Sequence, residues 1–479
     1  MIVQTTGLDP QAWAEEHFGD LDLGHAKRNQ RAITIAAGFA ATPGKSIPQT
    51  FDNWYDVKAA YKFFADPSVT PDEVQARHRE LTMAQLQQPG TYLLIEDTTE
   101  PSWGGDKPRT GLGRIGDKTS KRQGFQVHTT LAVCWPTTRE PDATGHRPPV
   151  VILGLADQHM QVRVDAPSKE TRQARWLRAR ESEVWEVATT RMGTAPETPG
   201  VRWVRVCDRG ADIYEFLDSC HTEGHGYVVR AAQDRAVVSA AGVVAARLFD
   251  SARQTVSLGE FNLGLRARAG QAARTARLSV RAIRLKLRSP WRPGHGRGTL
   301  RPLTCTVVRV WEAEPPAGVE ALEWFLLCDA EVTTFEQALE IALQYATRWL
   351  VEEFHKALKT GLGIEKLQLE TGAELMAAVS LLSVIALRLL HLREVVRLIP
   401  EAPAPASGLD PLELEVLATK TKRTLTTVRE VALALGRLGG HLNRKSDGLP
   451  GWITLWRGYV VLQSLVDGVR LAHKLKSFG

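Results

Sequence analysis

The apolar pattern of this sequence predicts an α/β protein, a mixed sheet covered by helices and set between two helical regions. Runs of strand length come three in succession and then alternate with helical stretches, the order expected of such a sheet. Helical periodicity dominates instead up to about residue 68 and again beyond Gly363. The 479 residues, 43% hydrophobic and 24% charged, leave room for two to four domains with a substantial core.

In chain order, the first helical region holds GHAKRNQRAITIAAGFA, which puts Lys27, Arg28 and Arg31 close together on one helix. Thr70-Pro71-Asp72-Glu73 marks a new helix start: Thr as N-cap, Pro in the first position, Glu closing a capping box. A first unit of residues 1–69 follows. The central unit, 70–370, opens with a strand over Tyr92 to Glu96, a basic loop from Lys118 to Arg122, and strands over Phe125 to Trp135 and Val150 to Leu155. A helical stretch near 170–187, a strand from Val201 to Cys207, a helix from Ala211 and the strand YVVRA come next. Residues from about 236 to 328 read as a β-rich basic insertion that lengthens the chain without extending the mixed sheet. Thr333-x-x-Glu336 then caps a helix that runs, with no proline, to Gly361 or Gly363. The last unit, 371–479, is helical apart from a loop at LIPEAPAPASGLDP; its tail carries Trp452, Trp456, Tyr459, Leu462 and Leu465 at helical spacing.

Other classes are disfavoured. Five cysteines without a CxxC pair argue against a zinc site or a disulfide framework and fit a reducing cytoplasm. Acids within the first 16 residues predict no signal peptide, and the longest uncharged apolar stretch, Leu375 to Leu387, is too short to span a bilayer and reads as a buried helix. The net charge of +6 is unevenly spread: between Phe261 and Trp311 there are eleven Arg and one Lys but no acid. In LSVRAIRLKLRS, Arg284, Lys286 and Arg288 alternate with Ile283, Leu285 and Leu287, so a strand here has one cationic face, suited to a phosphate backbone or simply to solvent.

Chemistry concentrates in three acids. Two apolar strands lead directly into Asp97 and Asp208, where carboxylates project at a sheet edge; either could equally be a turn or cap residue. On the late helix, Tyr345, Arg348, Glu352 and Lys359 fall within an arc of roughly 60°, and the same stripe could be a solvated face with a salt bridge. Taken together, three acids able to converge suit a pair of Mg²⁺ ions in phosphodiester chemistry. Neighbouring Glu96, Asp212 and Glu353 read as structural.

Asp97, Asp208, Glu352 and the pattern Tyr345-x2-Arg348-x3-Glu352-x6-Lys359 resemble the DDE triad and YREK signature of the insertion-sequence-four family of bacterial transposases. GKSI, AYKFF, IEDTT, VCDRGADIY, RWLVEEFHKALKTG and RLGG extend the likeness over nearly the whole chain. The resemblance implies a ribonuclease-H-like catalytic core with a β-rich insertion, flanked by helical domains. It implies cut-and-paste transposition with two Mg²⁺ ions per site, Mn²⁺ substituting, held by the three acids. Tyr345, Arg348 and Lys359 would grip DNA, Trp324 would stack on a flipped base, and Arg230 would lie close by. Lys27, Arg28 and Arg31 would recognise the transposon end. Implied partners are double-stranded DNA, as end and target sequences, and a second copy joined through the C-terminal unit, in a bacterial cytoplasm at the nucleoid. PQTFDNWYD and PSWGGDKPRTGLG depart from the family pattern, so end specificity does not transfer. A related nuclease or resolvase that cuts without joining, and a non-catalytic DNA-binding inhibitor, remain the alternatives.

Overall fold

The computed structural model describes residues 9–476 apart from 105–108, 118, 137–149, 165–166, 168, 172–173, 175–179, 240–241, 266–272, 291–301 and 445–446. One eleven-stranded mixed sheet organises the chain. Its strands are β1 (Gly90–Thr99), β2 (Gln126–Trp135), β3 (Val151–Gln161), β4 (Val201–Cys207), β5 (Gly226–Arg230), β6 (Ala236–Val238), β7 (Val244–Arg247), β8 (Gly259–Leu265), β9 (Arg274–Leu287), β10 (Leu303–Glu312) and β11 (Glu323–Cys328). They lie in the order β7-β6-β9-β10-β11-β5-β4-β1-β2-β3, with β8 beside β9. Three neighbours, β1, β4 and β5, run parallel; the others pair antiparallel.

Alternation along β1 shows why the sheet is buried on both faces. Leu93 and Ile95 enter one hydrophobic cluster, while Tyr92 and Leu94 enter another across the sheet. Helices cover both sides: α1 (Pro10–Phe18), α2 (Ala26–Ala41), α3 (Ile47–Thr50), α4 (Trp54–Phe64), α5 (Pro71–Gln85), α6 (Val184–Met192), α7 (Tyr214–Thr222), α8 (Leu248–Gln254), α9 (Phe335–Ala346), α10 (Trp349–Lys356), α11 (Gly372–Leu398), α12 (Pro411–Thr421), α13 (Val428–Leu438) and α14 (Trp452–Lys476). By length and composition α11 could cross a bilayer. Its apolarity has another cause: it is the axis against which α2, α4, α5 and α14 pack, and most of it is buried inside the molecule.

Several expectations are corrected. β1 does not end at Glu96 but continues through the β-branched Thr98 and Thr99, so Asp97 lies within a strand. β3 likewise reaches Gln161. The helix after Asp208 begins only at Tyr214, because Asp208 caps a 3₁₀ turn over Arg209–Ala211. Of the stretch expected near 170–187, much lies outside the described residues, and α6 starts at Val184. The insertion does extend the sheet: Leu326, Leu327 and Cys328 of β11 pair with Arg230, Val229 and Val228 of β5. The reason is the edge that β5 presents, whose N–H and C=O groups need partners. At the start of α9 the cap is Thr334 with Gln337, one residue later than expected. The C-terminal aromatic stripe is intramolecular: Trp452, Trp456, Tyr459 and Leu462 are all buried in the single chain.

Buried histidines impose a pH limit on this fold. Burial lowers the pKa of His17, His225 and His391 to about 4, and that of His355 to about 3. Each stays neutral in the folded protein while its unfolded counterpart takes a proton near pH 6.5, so stability is intact above that pH and falls as pH drops towards 4. Each such group costs up to about 1.4 kcal/mol per pH unit across that window. The thermal unfolding midpoint followed by circular dichroism is expected to fall between pH 6.5 and 4, and His225→Gln to shallow that fall. A flat midpoint over this range rules the account out.

Candidate active site

Glu96 of β1 pairs in register with Cys207 of β4, so Asp97 and Asp208 are the next residues along two adjacent parallel strands. Strand alternation turns Glu96 inward, where it is fully buried against Arg205 and His128, and turns Asp97 the other way. Burial pushes the Glu96 carboxyl up, but Arg205 and His128 outweigh it and hold its pKa below the usual range. Asp212 is likewise structural, since it accepts hydrogen bonds from the backbone N–H groups of Ala232 and Gln233 and pairs with Arg235.

Arg348 joins this sheet end to the late helix. The helical run is not continuous: the N–H groups of Arg348, Leu350 and Val351 reach back three residues, to Tyr345, Thr347 and Arg348, instead of four. This tight turn between α9 and α10 breaks the expected four-turn stripe and leaves Arg348 at the junction. Its guanidinium lies 3.2 Å from Asp97 and also pairs with Glu352. Burial raises the Asp97 pKa; Arg348 opposes that, while Asp208 and Glu352 add to it. For Arg348, burial works against the charge, but Asp97 and Glu352 dominate and raise its pKa. Among the described residues no three of His, Cys, Asp or Glu stand close enough together to hold a metal ion as placed. Arg348 occupies the gap between two of the acids.

Beyond α10 the helix widens into a π turn over Ala357–Gly361, and Gly363 takes the left-handed conformation (φ 64°) that ends it. Lys359 sits in this turn, donating to the Glu100 carbonyl at 3.0 Å, and burial lowers its pKa. A cavity of about 1100 Å³ opens beside Glu352 and Arg348, lined also by Arg209, Arg230, Trp324 and Tyr345 among others, while Asp97 and Asp208 stand outside its lining. Glu353, also at the edge of the cavity, is held by the indole of Trp452, from which it accepts at 2.9 Å. Tyr345 is buried and stands edge-on to Trp324, with ring centroids 5.0 Å apart. Trp324 is partly exposed at the start of β11, and Arg230 donates to the carbonyl of Glu323 beside it.

The cationic strand is elsewhere. Arg284 donates to the carbonyls of Asp329 (2.8 Å) and Ala330 (3.1 Å), beyond the far end of β11 from Trp324, and Lys286 and Arg288 continue away from it. The expected alternation is present, with Leu285 and Leu287 buried and Arg284 exposed, but the structure does not bring this triplet to the acids. Lys118 of the expected basic loop lies outside the described residues.

In the N-terminal unit Lys27 is exposed, while Arg28 pairs with Asp66 at 2.6 Å and Arg31 with Asp56. Two exposed aromatic residues went unnoticed in the sequence: Trp54 and Tyr55, 65% and 74% exposed at the start of α4. Lys58 lies over the Trp54 ring at 5.3 Å and Arg31 over Tyr55 at 5.6 Å. Two adjacent aromatics in WYDVKAAYKFF, off the apolar stripe of Val57, Ala60, Phe63 and Phe64, are the signal that could have found them.

Exposed rings flanked by cations on a helical segment, beside an α/β body whose cleft is lined by several arginines, fit a protein that handles DNA. Residues 10–69 match the family model described as transposase DNA-binding, so the chain carries a transposase DNA-binding domain at its N-terminus and DNA is its partner. Replacing Trp54 and Tyr55 together by Ala is expected to weaken duplex DNA binding by the full-length protein. Fluorescence anisotropy with labelled duplex measures it, and unchanged affinity removes the two rings from the interface.

Proposed function

We propose that the chain is a cut-and-paste DNA transposase of the DDE type, in the insertion-sequence-four family and similar to the transposase of transposon five. Residues 1–69 would bind transposon ends, 70–370 would form a ribonuclease-H-like catalytic unit and 371–479 would join two copies. One observation carries this reading: Arg348 ties Asp97 to Glu352 at the end of parallel strands, in a chain whose N-terminus is a transposase DNA-binding domain. The order β3-β2-β1-β4-β5, an antiparallel meander continued by two parallel strands, supports the ribonuclease-H-like part.

Asp97, Asp208 and Glu352 offer only carboxylate oxygens, a donor set that fits Mg²⁺ or Mn²⁺ once Arg348 lets go. Two such ions would supply activation of the attacking oxygen and stabilisation of the leaving one. The chain's own residues do the rest. Released from the acids, Arg348 can take a phosphate bidentately, with Lys359 as a point charge near the scissile bond. Trp324, backed by Tyr345 and beside Arg230, offers a ring to an unstacked base, which offsets part of the cost of distorting the strand into a hairpin. Nicking, hairpin formation by the freed 3′-hydroxyl, reopening and joining to target DNA then repeat one phosphodiester exchange at one site. A strand-transfer assay with precleaved ends distinguishes this from a nuclease that only cuts.

Asp97→Asn, Asp208→Asn and Glu352→Gln are each expected to abolish nicking of end DNA in Mg²⁺ while end binding persists; parental nicking by any one removes that acid from the site. Arg348→Ala is expected to lose nicking yet bind Mn²⁺ more tightly in the DNA-free protein, because no guanidinium competes for Asp97 and Glu352. Weaker Mn²⁺ binding by this variant, read by electron paramagnetic resonance, overturns the exchange.

Pairing of copies needs another face than the buried tryptophans. Along α14, Val461, Leu471 and Leu475 are 41%, 58% and 66% exposed, with Leu465 and Gly468 between them on the same side. Two-fold contact along this stripe would bury it against its own copy. Val461→Glu with Leu471→Glu is expected to leave single-end complexes only, by mass measurement on protein with end DNA; two chains on two ends in this variant would place the interface elsewhere.

A further inference from the structure

Asp97 is held from behind. The residues on either side of it, Glu96 and Thr98, both reach one buried histidine on the neighbouring strand, His128. Its Nε2 stands 3.2 Å from Oε2 of Glu96 and its Nδ1 2.8 Å from the Thr98 hydroxyl. With both flanking side chains drawn to the His128 face, alternation leaves Asp97 no direction but the opposite one. Glu96 is also paired with Arg205, which stands on β4 two residues before Cys207, so the same carboxylate stitches β1 to the strand that delivers Asp208.

The other side of His128 leads to Asp208 as well. Its ring meets the Trp185 indole edge-on, with centroids 4.6 Å apart. Trp185 in turn closes on the turn at Gly210, where an added Cβ would lie 3.3 Å from the indole and 3.0 Å from Oδ1 of Asp208. That same oxygen accepts the Gly210 N–H at 2.7 Å. One imidazole is thus in contact, directly or through a single neighbour, with the supports of both Asp97 and Asp208. Burying a glutamate, an arginine and a histidine together stabilises little compared with apolar residues of the same size. Their purpose lies in what they fix.

We propose that His128 is a positioning residue which, through Glu96 and Thr98 on one side and Trp185 on the other, sets the separation of Asp97 and Asp208 and with it the affinity of the site for divalent cations. This rests on the metal-dependent reading of the acids given above. Mg²⁺ demands near-ideal octahedral geometry and Mn²⁺ is bound by the same oxygen donors, so a loosened pair of carboxylates loses affinity for both.

The test uses the full-length protein without DNA. Mn²⁺ binding is measured by electron paramagnetic resonance, with Mg²⁺ as competitor, for the parental chain, His128→Ala, His128→Gln, Thr98→Val and Asp97→Asn. His128→Ala is expected to weaken binding by about tenfold or more, the range seen when a supporting partner of a ligand is removed. His128→Gln, which keeps an N–H towards Glu96, should recover most of it; Thr98→Val, nearly isosteric, should fall between. End-DNA affinity should be the same in the His128 and Thr98 variants. A folded His128→Ala protein with parental metal affinity overturns the positioning role, and if that variant does not fold, parental affinity in Thr98→Val does so. If Asp97→Asn itself leaves Mn²⁺ binding unchanged, the metal-dependent reading falls and the positioning role with it; if Asp97→Asn abolishes binding while the His128 and Thr98 variants do not alter it, only the positioning role falls.

Discussion

Like charges gathered at one end of a sheet repel, and the cleft of this protein is arranged around that constraint. Asp97 is half-buried, Asp208 follows the end of the adjacent strand, and Glu352 approaches from a helix; burial and the two neighbouring acids each raise the cost of ionising Asp97. Arg348 is the counter-ion shared by Asp97 and Glu352, and it can reach both because the helix tightens at Thr347 and Arg348. The same bond clamps α10 to β1. On the metal-dependent reading proposed above, a cation that satisfied the acids better would free a guanidinium beside them.

Backbone pairing explains the rest of the architecture. The three parallel strands β1, β4 and β5 leave an edge at β5, and β11 closes it with β10 and β9 behind, so the basic insertion becomes part of the sheet. This pairing also sets where Trp324 stands. Because β11 runs antiparallel to β5, its first residues emerge at the end where β1 and β4 deliver Asp97 and Asp208. The ring reaches the cleft as a consequence of strand direction, and Tyr345 from α9 meets it there.

Much of this was legible in the sequence and some was not, for local reasons. The alternation in GTYLLIEDTT separates Glu96 from Asp97 correctly, because side-chain direction on a strand depends on nothing beyond its neighbours. The pattern YATRWLVEEFHKALK reads as a single helix, since helical spacing cannot register a one-residue tightening or a π turn. Strand partners of the insertion were hidden because alternation in LSVRAIRLKLRS fixes which face is apolar but not which strand lies alongside. Trp452, Trp456 and Tyr459 form a stripe that fits an interface or a core equally well; packing against α11, α12 and α13 decides for the core.

Charge presents the same distinction between what is counted and what is free. The acid-free stretch from Phe261 to Trp311 makes the strongest cationic signal in the sequence, yet its described arginines are largely engaged. Arg274 holds Glu312, Arg277 holds Glu260, Arg309 holds Glu323, and Arg281 lies over Trp311 at 4.3 Å. A guanidinium already paired with a carboxylate must give up that partner to take a phosphate, so the exchange releases little free energy. Under the proposed metal-dependent reading Arg348 would be different, because its carboxylate partners would have a competing claim on cations. Availability of a cation to DNA is therefore set by what its partner would do without it, and on the proposed reading the cleft, more than the basic strand, would be where phosphate and charge trade places.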